Sequence, residues 1–528
     1  MAGAFAALPS SATAQAFGGA LLIANGHILV GEAAHEREPG TVWVFARDGD
    51  GWSSVAALRD PAPHTGDGFG KALARAGDFV FVGAGGTDGG AIYYFPLADP
   101  SGWNADREAA LSVSHGEIGS VLAGSRTVLM ASMSGEQDGR LWAEMVTVLE
   151  DDVLFDVSLD SGIDVPLGGS NPYALTDNLL VVGDPNGNTV HLHERRASDG
   201  DWESTGTLTP PGDPEQRTLF GSAVAVAGDE ILVAQMLAGV VHRYAKMDGA
   251  WQPVGTLEPE NDEMRLGYGA SLAVDGEALL VGGAQRFHEY RRSGDGWERT
   301  GASPPYNADG APVARAAGLY LDDEVAVLAD PSADFGLGAA TVFSRESGDW
   351  VQTGRLVADH EPLPAISGGE VTCEDGEAAG YDCNEVDLLA FVPWEELGAA
   401  RGARLNDIWG WTDPETEREY AIVCHMDGTS FVDVTDPFNP RYLGHLPKTE
   451  GSRASTWRDA KVYRNHAYIV ADGAGEHGMQ VFDLTRLRDV TEPQVFDADA
   501  LYTEIASSHN VAINETTGFA YLVGSPGT

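Results

Sequence analysis

The sequence predicts an all-β protein: a seven-bladed β-propeller of four-stranded blades, followed by the first two to three blades of a second propeller-like domain. Three observations carry that expectation. A glycine, an apolar alternation, a tight turn and a second apolar run recur seven times within residues 15–362. One tryptophan position is shared by six of the seven repeats. Past Pro362 the rhythm changes, and a second set of units repeats with spacings of 52 and 51 residues.

The seven segments begin at Phe17 (FGGALLIANGHILVGE), Phe69 (FGKALARAGDFVFVGA), Ile118 (IGSVLAGSRTVLMAS), Gly169 (GSNPYALTDNLLVVGD), Phe220 (FGSAVAVAGDEILVAQ), Tyr268 (YGASLAVDGEALLVGG) and Ala317 (AGLYLDDEVAVLAD). Each half alternates or runs apolar over four to six residues around a Gly-Asp-like turn, the pattern of a β-hairpin. A second hairpin follows in each unit, as in TVWVFARDGDGWSSVAAL: strand, Gly/Asp turn, Trp, strand. The turn tryptophans are Trp52, Trp103, Trp202, Trp251, Trp297 and Trp350, with gaps of 51, 99, 49, 46 and 53. The doubled gap spans the third repeat, where TVLEDDVLFDVSL stands without a Trp. Four strands and about 50 residues per unit describe propeller blades, which lose their exposed edges only when the ring closes.

The Phe-Gly opening followed by GD…LVGA resembles the FG-GAP repeat, the blade of integrin-alpha-like propellers and of bacterial surface proteins. The resemblance covers about two thirds of the chain and implies an extracellular recognition or adhesion module. Calcium-binding members carry an Asp-x-Asp-x-Asp-Gly-type loop between the first two strands. Here that loop has shrunk to AGD, VDGE or LTDN, too short to offer the six to eight oxygens that calcium takes. RSGDGWERTG from Arg292 offers only the carboxylate of Asp295, and RDGDGW only Asp48 and Asp50, so these stretches read as turns.

Residues 363–384 read as a linker holding Cys373 and Cys383, which a disulfide closes in an oxidising compartment. Cys424 lies in the apolar run YAIVC and reads as a buried strand residue. Residues 385–528 form the second repeat set, in which Asp407, Asp459 and Asn510 align. FVDVTDPFNP and VFDLTRLRDVTEP resemble LVIVD repeats, and the run as a whole resembles the choice-of-anchor B family of bacterial surface proteins. About two and a half such blades cannot close a ring, so the sequence reads as part of a longer protein with its anchoring segment downstream.

Composition narrows the partners. The chain carries 80 Asp+Glu against 32 Lys+Arg, a formal net charge of -48, with only four lysines. Such a surface repels nucleic acid and anionic membranes. No apolar run of 18 residues exists to span a bilayer. Residues 1–14 end in Ala12-Thr13-Ala14, like the back half of a secretory signal, which points to a secreted or cell-surface location.

No nucleophile elbow, zinc-ligand pair or His-Glu-x-x-His is present, and the glycine-rich GGTDGG at Gly85 and GDGFG at Gly66 sit between predicted blades. One constellation remains: Asp407, Arg458, Asp459, His509 and Asn510 lie at or beside equivalent blade starts, where first strands line a propeller channel. They suit ligand binding, a divalent ion such as Ca2+, or acid/base chemistry; alternatively they cap strand ends and bond neighbouring backbone. His466 and His477 read as exposed loop residues. The expected function is a binding or adhesion scaffold for an extracellular protein or polysaccharide, without cofactor. The alternatives are an extracellular propeller hydrolase or lyase with its site in the second domain, and a spacer repeat.

Overall fold

A computed structural model describes residues 16–525 except 35–37, 87–89, 98–110, 114–117, 135–140, 149–152, 155–170, 199, 212–217, 261–264, 266, 295 and 307–317. Residues 1–14, Trp103 and Asp295 therefore lie outside the described residues. The chain divides into two units, one ending at Asp359 and one beginning at His360.

Among the described residues, the first unit holds seven four-stranded antiparallel sheets, within residues 20–59, 69–113, 118–154, 173–208, 220–257, 272–302 and 318–356. In each sheet the strands follow sequence order, so every sheet is a contiguous meander. Their first strands touch in a cycle: Ala20–Ala24 meets Phe69–Ala76, and so on around to Gly318–Asp322, which meets Ala20–Ala24 again. This is a closed propeller. The second strands, such as HILVGE and EILVAQ, are almost wholly buried because neighbouring sheets cover both faces. Among the described residues, no strand crosses the seam. The last sheet packs on the first through one apolar cluster that includes Phe17, Ile23, Phe45, Tyr320, Val342 and Leu356.

The repeated Phe-Gly pair has a structural reason. Phe17, Phe69, Phe220 and Tyr268 are fully buried. The glycines that follow them (Gly18, Gly70, Gly221 and Gly269) all have φ between +82° and +87°. They also sit against the preceding sheet: a β-carbon on Gly221 would lie 2.8 Å from the Thr189 carbonyl oxygen, and one on Gly70 3.0 Å from that of Thr41. Left-handed backbone and close approach coincide there, and glycine alone satisfies both.

The turn tryptophans latch sheets together. Trp251 Nε1 donates to Glu194 Oε1 at 3.3 Å, Trp297 Nε1 to Glu230 Oε2 at 3.1 Å and Trp350 Nε1 to Glu289 Oε2 at 3.3 Å. Each glutamate belongs to the preceding sheet. A cation five residues before each Trp lies over its ring: Lys246 at 6.0 Å, Arg292 at 5.2 Å and Arg345 at 4.9 Å. Each cation also pairs with that same glutamate. Trp202 packs against the core between the third and fourth sheets. Trp52 differs. Its ring packs between the first and last sheets beside Gly354, but its Nε1 is buried without a partner among the described residues. Val342 stands eight residues before Trp350, where the sheet before it has Glu289 eight before Trp297.

The second unit opens with a largely extended stretch. Cys373 and Cys383 are bonded there, with Cα atoms 5.9 Å apart, around a two-stranded turn of Glu377–Ala378 and Tyr381–Asp382. A five-stranded sheet follows, then a four-stranded sheet and the hairpin Asn510–Asn514/Phe519–Val523. The fifth strand is an addition to the expected blade: Gln494–Val495 runs parallel to Arg441–Pro447, pairing Gly444 with Gln494. It is made from the segment after the second sheet's third strand, which Arg418 and Arg441 hold by donating to the carbonyls of Arg488 and Val490. The core between the sheets stacks Phe431 on Phe482 at 4.5 Å, with Phe496 edge-on to both. Arg488 forks onto the buried Asp413 carboxylate with bonds of 2.8 and 2.7 Å, holding it well below the usual carboxylate range. Cys424 is fully buried, and burial pushes its thiol up to about 12, so it is no nucleophile.

Candidate functional site

The site is built from the starts of three successive first strands: Leu405–Thr412, Arg458–Tyr463 and Asn510–Asn514. Equivalent strand position places equivalent residues side by side. A cavity of about 230 Å³ results, lined by Asn406, Asp407, Trp457, Arg458, Asp459, His509 and Asn510. All five residues that the sequence singled out line it. Asn406 and Trp457 join them, each immediately before one of those residues in sequence.

The two aspartates do structural work in this geometry. Asp459 Oδ2 accepts the Val511 amide at 2.8 Å, and Asp407 Oδ2 accepts that of Ala460 at 3.4 Å, each reaching the next sheet. Lys461 Nζ lies 2.6 Å from Asp459 and 3.7 Å from Asp407, and 4.2 Å above the Trp409 ring. Asn406 Nδ2 donates to the Arg458 carbonyl at 2.8 Å. Bonding to neighbouring backbone, the plainer of the two sequence readings, therefore describes Asp407 and Asp459 well.

Arg458 is fully buried, and among the described residues no carboxylate forms an ion pair with it. Its Nε donates to the His425 carbonyl at 3.0 Å and its Nη1 to His477 Nε2 at 2.8 Å, while Nη2 finds no hydrogen-bond partner among the described residues. This corrects the reading of His477 as an exposed loop residue: it is fully buried. Its Nδ1 donates to the Gly478 carbonyl at 3.0 Å, which leaves Nε2 as the acceptor for Arg458. Burial first, and the Arg458 charge second, lower it from the ordinary 6.5 to about 4. Its setting, GAGEHGM, reads as a polar glycine loop, and nothing local announces an arginine 19 residues away. His466 is only partly exposed, its Nδ1 donating to the Arg464 carbonyl at 2.9 Å.

His509 is half exposed. Its Nδ1 donates to Asp472 Oδ2 at 2.9 Å, and its ring stands 6.3 Å from that of Trp457. The pairing orients the imidazole and, among the described residues, leaves Nε2 uncommitted. Among the described residues, the Asn510 side chain has no hydrogen-bond partner. Among the described residues, no three His, Cys, Asp or Glu side chains come together as a metal site.

Asp427, His425 and Ser430 imitate a catalytic triad in the first sheet of this unit. His425 Nδ1 lies 2.7 Å from Asp427 and its Nε2 3.1 Å from Ser430 Oγ. The serine is fully buried and donates its proton to the Leu397 carbonyl at 2.6 Å. A nucleophile must reach substrate and give its proton to the histidine; Ser430 does neither, and ties the 394–397 turn to the sheet. Of the two glycine-rich stretches, GDGFG is structural: Asp67 Oδ1 accepts the amides of Gly40 and Phe69 at 2.9 and 3.1 Å, while residues 87–89 of GGTDGG lie outside the described residues.

No family model matches the chain, and no curated protein is significantly similar to it. Among solved structures it is similar to a protein from Lactobacillus plantarum, with 16% identity over 63% of this chain and 96% of that one, TM-score 0.41. A functionally unknown protein from Desulfotomaculum acetoxidans gives 13% identity over 60% and 95%, TM-score 0.39. The Cps50 (Swd1) β-propeller domain of Myceliophteria thermophila gives 10% identity over 62% and 94%, TM-score 0.36. The propeller assignment rests on the seven sheets themselves.

Proposed function

We propose that the chain is a secreted or cell-surface binding protein, a recognition scaffold that displays a ligand site on its second, propeller-like unit. The observation that supports this most is the cavity at the three strand starts, whose carboxylates are already engaged. Asp459 holds an amide at 2.8 Å and a lysine at 2.6 Å, and Asp407 faces the same kinds of group more loosely, at 3.4 and 3.7 Å, an arrangement that suits bracing the strands better than general acid or base work. A rigid frame with neutral hydrogen-bonding groups at its mouth recognises more readily than it transforms. The marked acidity of the chain and its secretory-like start fit an extracellular setting.

A second reading has one observation in its favour. The Asp472–His509 pair orients an imidazole with a free nitrogen at the cavity, as an extracellular hydrolase or lyase would. One experiment separates the two. The full chain is incubated with soluble polysaccharides and with extracellular-matrix proteins, and both retention and product release are measured. The binding reading expects retention without new reducing ends or unsaturated products. Product release that His509→Ala abolishes would overturn it.

A further inference from the structure

We propose, resting on the binding reading above, that the cavity takes one neutral pyranose residue of an extracellular polysaccharide, its apolar face on Trp457. The size fits a small ligand: about 230 Å³ lies below the about 300–1,000 Å³ usual for drug-sized molecules. The chemistry narrows the class further. The charges at the cavity are already satisfied within the protein. Lys461 answers Asp459 and Asp407, Asp472 answers His509, and the Arg458 side chain is fully buried. Each carboxylate at the cavity already faces a cation of the chain, and each cation a carboxylate or the protein interior, which disfavours a metal ion or an anion as the ligand.

What remains at the mouth is neutral and polar. Among the described residues, the Asn510 amide is unengaged, Asn406 keeps its carbonyl oxygen after donating Nδ2, and His509 keeps Nε2 after bonding Asp472. Beside them the Trp457 ring is 58% exposed. An aromatic side chain left in water at a polar cavity offers a flat apolar face with little conformational entropy to lose. A pyranose matches that combination, with one C–H face for the ring and hydroxyl edges that both donate and accept.

The test is titration of the full chain, by isothermal calorimetry and by tryptophan fluorescence, with methyl β-D-glucoside, methyl β-D-galactoside and methyl α-D-mannoside. D-galacturonate is the anionic comparison. At least one neutral glycoside is expected to bind. Trp457→Ala should weaken it about tenfold or more, Asn510→Ala should weaken it less, and Trp457→Phe should restore most of the loss. Because the Trp457 side chain is exposed, an unchanged thermal transition shows that the variants are folded. Absence of binding by any neutral glycoside, equal binding by Trp457→Ala, or tighter binding of galacturonate than of the galactoside would each overturn the proposal. A protein ligand captured at this cavity would overturn the sugar class and leave the binding reading standing. Polysaccharide turnover with glycoside binding intact would do the reverse.

Discussion

Replacing Gly221 with alanine tests why the Phe-Gly pair recurs. Two costs meet at this position. Its φ of +86° strains any residue with a β-carbon, by roughly 1–2 kcal/mol. The new β-carbon would also lie 2.8 Å from the Thr189 carbonyl oxygen and 3.2 Å from the Asp184 amide nitrogen, both backbone atoms of the preceding sheet. Neither can swing away as a side chain would, so the overpacking cost of about 1–3 kcal/mol adds to the first. The sum centres near about 3.5 kcal/mol. Gly249→Ala isolates the conformational part, since Gly249 has φ +84° in the same sheet and nothing within 4 Å of a β-carbon. At about 2.1 cal/mol/K per residue over roughly 340 residues, Gly221→Ala should lower the first unit's Tm by about 5 °C and Gly249→Ala by about 2 °C. Scanning calorimetry of the full chain reads both. Equal shifts for the two variants would refute the claim that close approach between sheets, and not φ alone, selects the motif glycine.

The tryptophan latches predict an asymmetry: Trp350→Phe, which deletes the bond to Glu289, should cost about 1 kcal/mol in urea unfolding, and Trp52→Phe, which deletes an unpartnered N–H, close to nothing. His477 predicts a pH dependence. Its unfolded imidazole protonates near 6.5 and its folded one near 4, so the unfolded state binds more protons in that window. The contribution is whole above about pH 6.5 and falls away toward pH 4, by about 3 kcal/mol, and His477→Gln should lose that part of the slope when the unfolding of the two proteins is compared at pH 7 and 4.5. Ser430→Ala should destabilise by about 1–3 kcal/mol through the stranded His425 and Leu397 groups and leave ligand retention unchanged. Loss of retention with an intact thermal transition would show that this cluster is functional.

The repeat was legible because a propeller blade writes its packing into a fixed period. Phe69 and Gly70 recur as Phe220 and Gly221 since each fills the same seat against the sheet before it. The candidate site was legible for the same reason: spacings of 52 and 51 put Asp407, Asp459 and Asn510 at one strand position. What escaped the sequence were partners that no period connects. The glutamates that receive the tryptophans lie 57 to 67 residues away, and Glu230 comes from a different strand of its sheet than Glu194 and Glu289. His477 and Arg458 meet across a glycine loop whose path depends on tertiary contacts. Asn406 and Trp457 escaped because residues beside a repeated position share its location without sharing its residue type.

The seam of the first unit has a consequence for how freely this chain order could have been otherwise. Every sheet is one uninterrupted stretch, and Phe17 fills at the seam the seat that Phe69 and Phe220 fill elsewhere. The ring therefore has no privileged beginning. Joining residue 359 to residue 16 and opening the chain before Phe220 would merely transfer the leading role from one phenylalanine to another. The order of the sheets in the gene is, in this sense, a cyclic word that can be written from any of its letters.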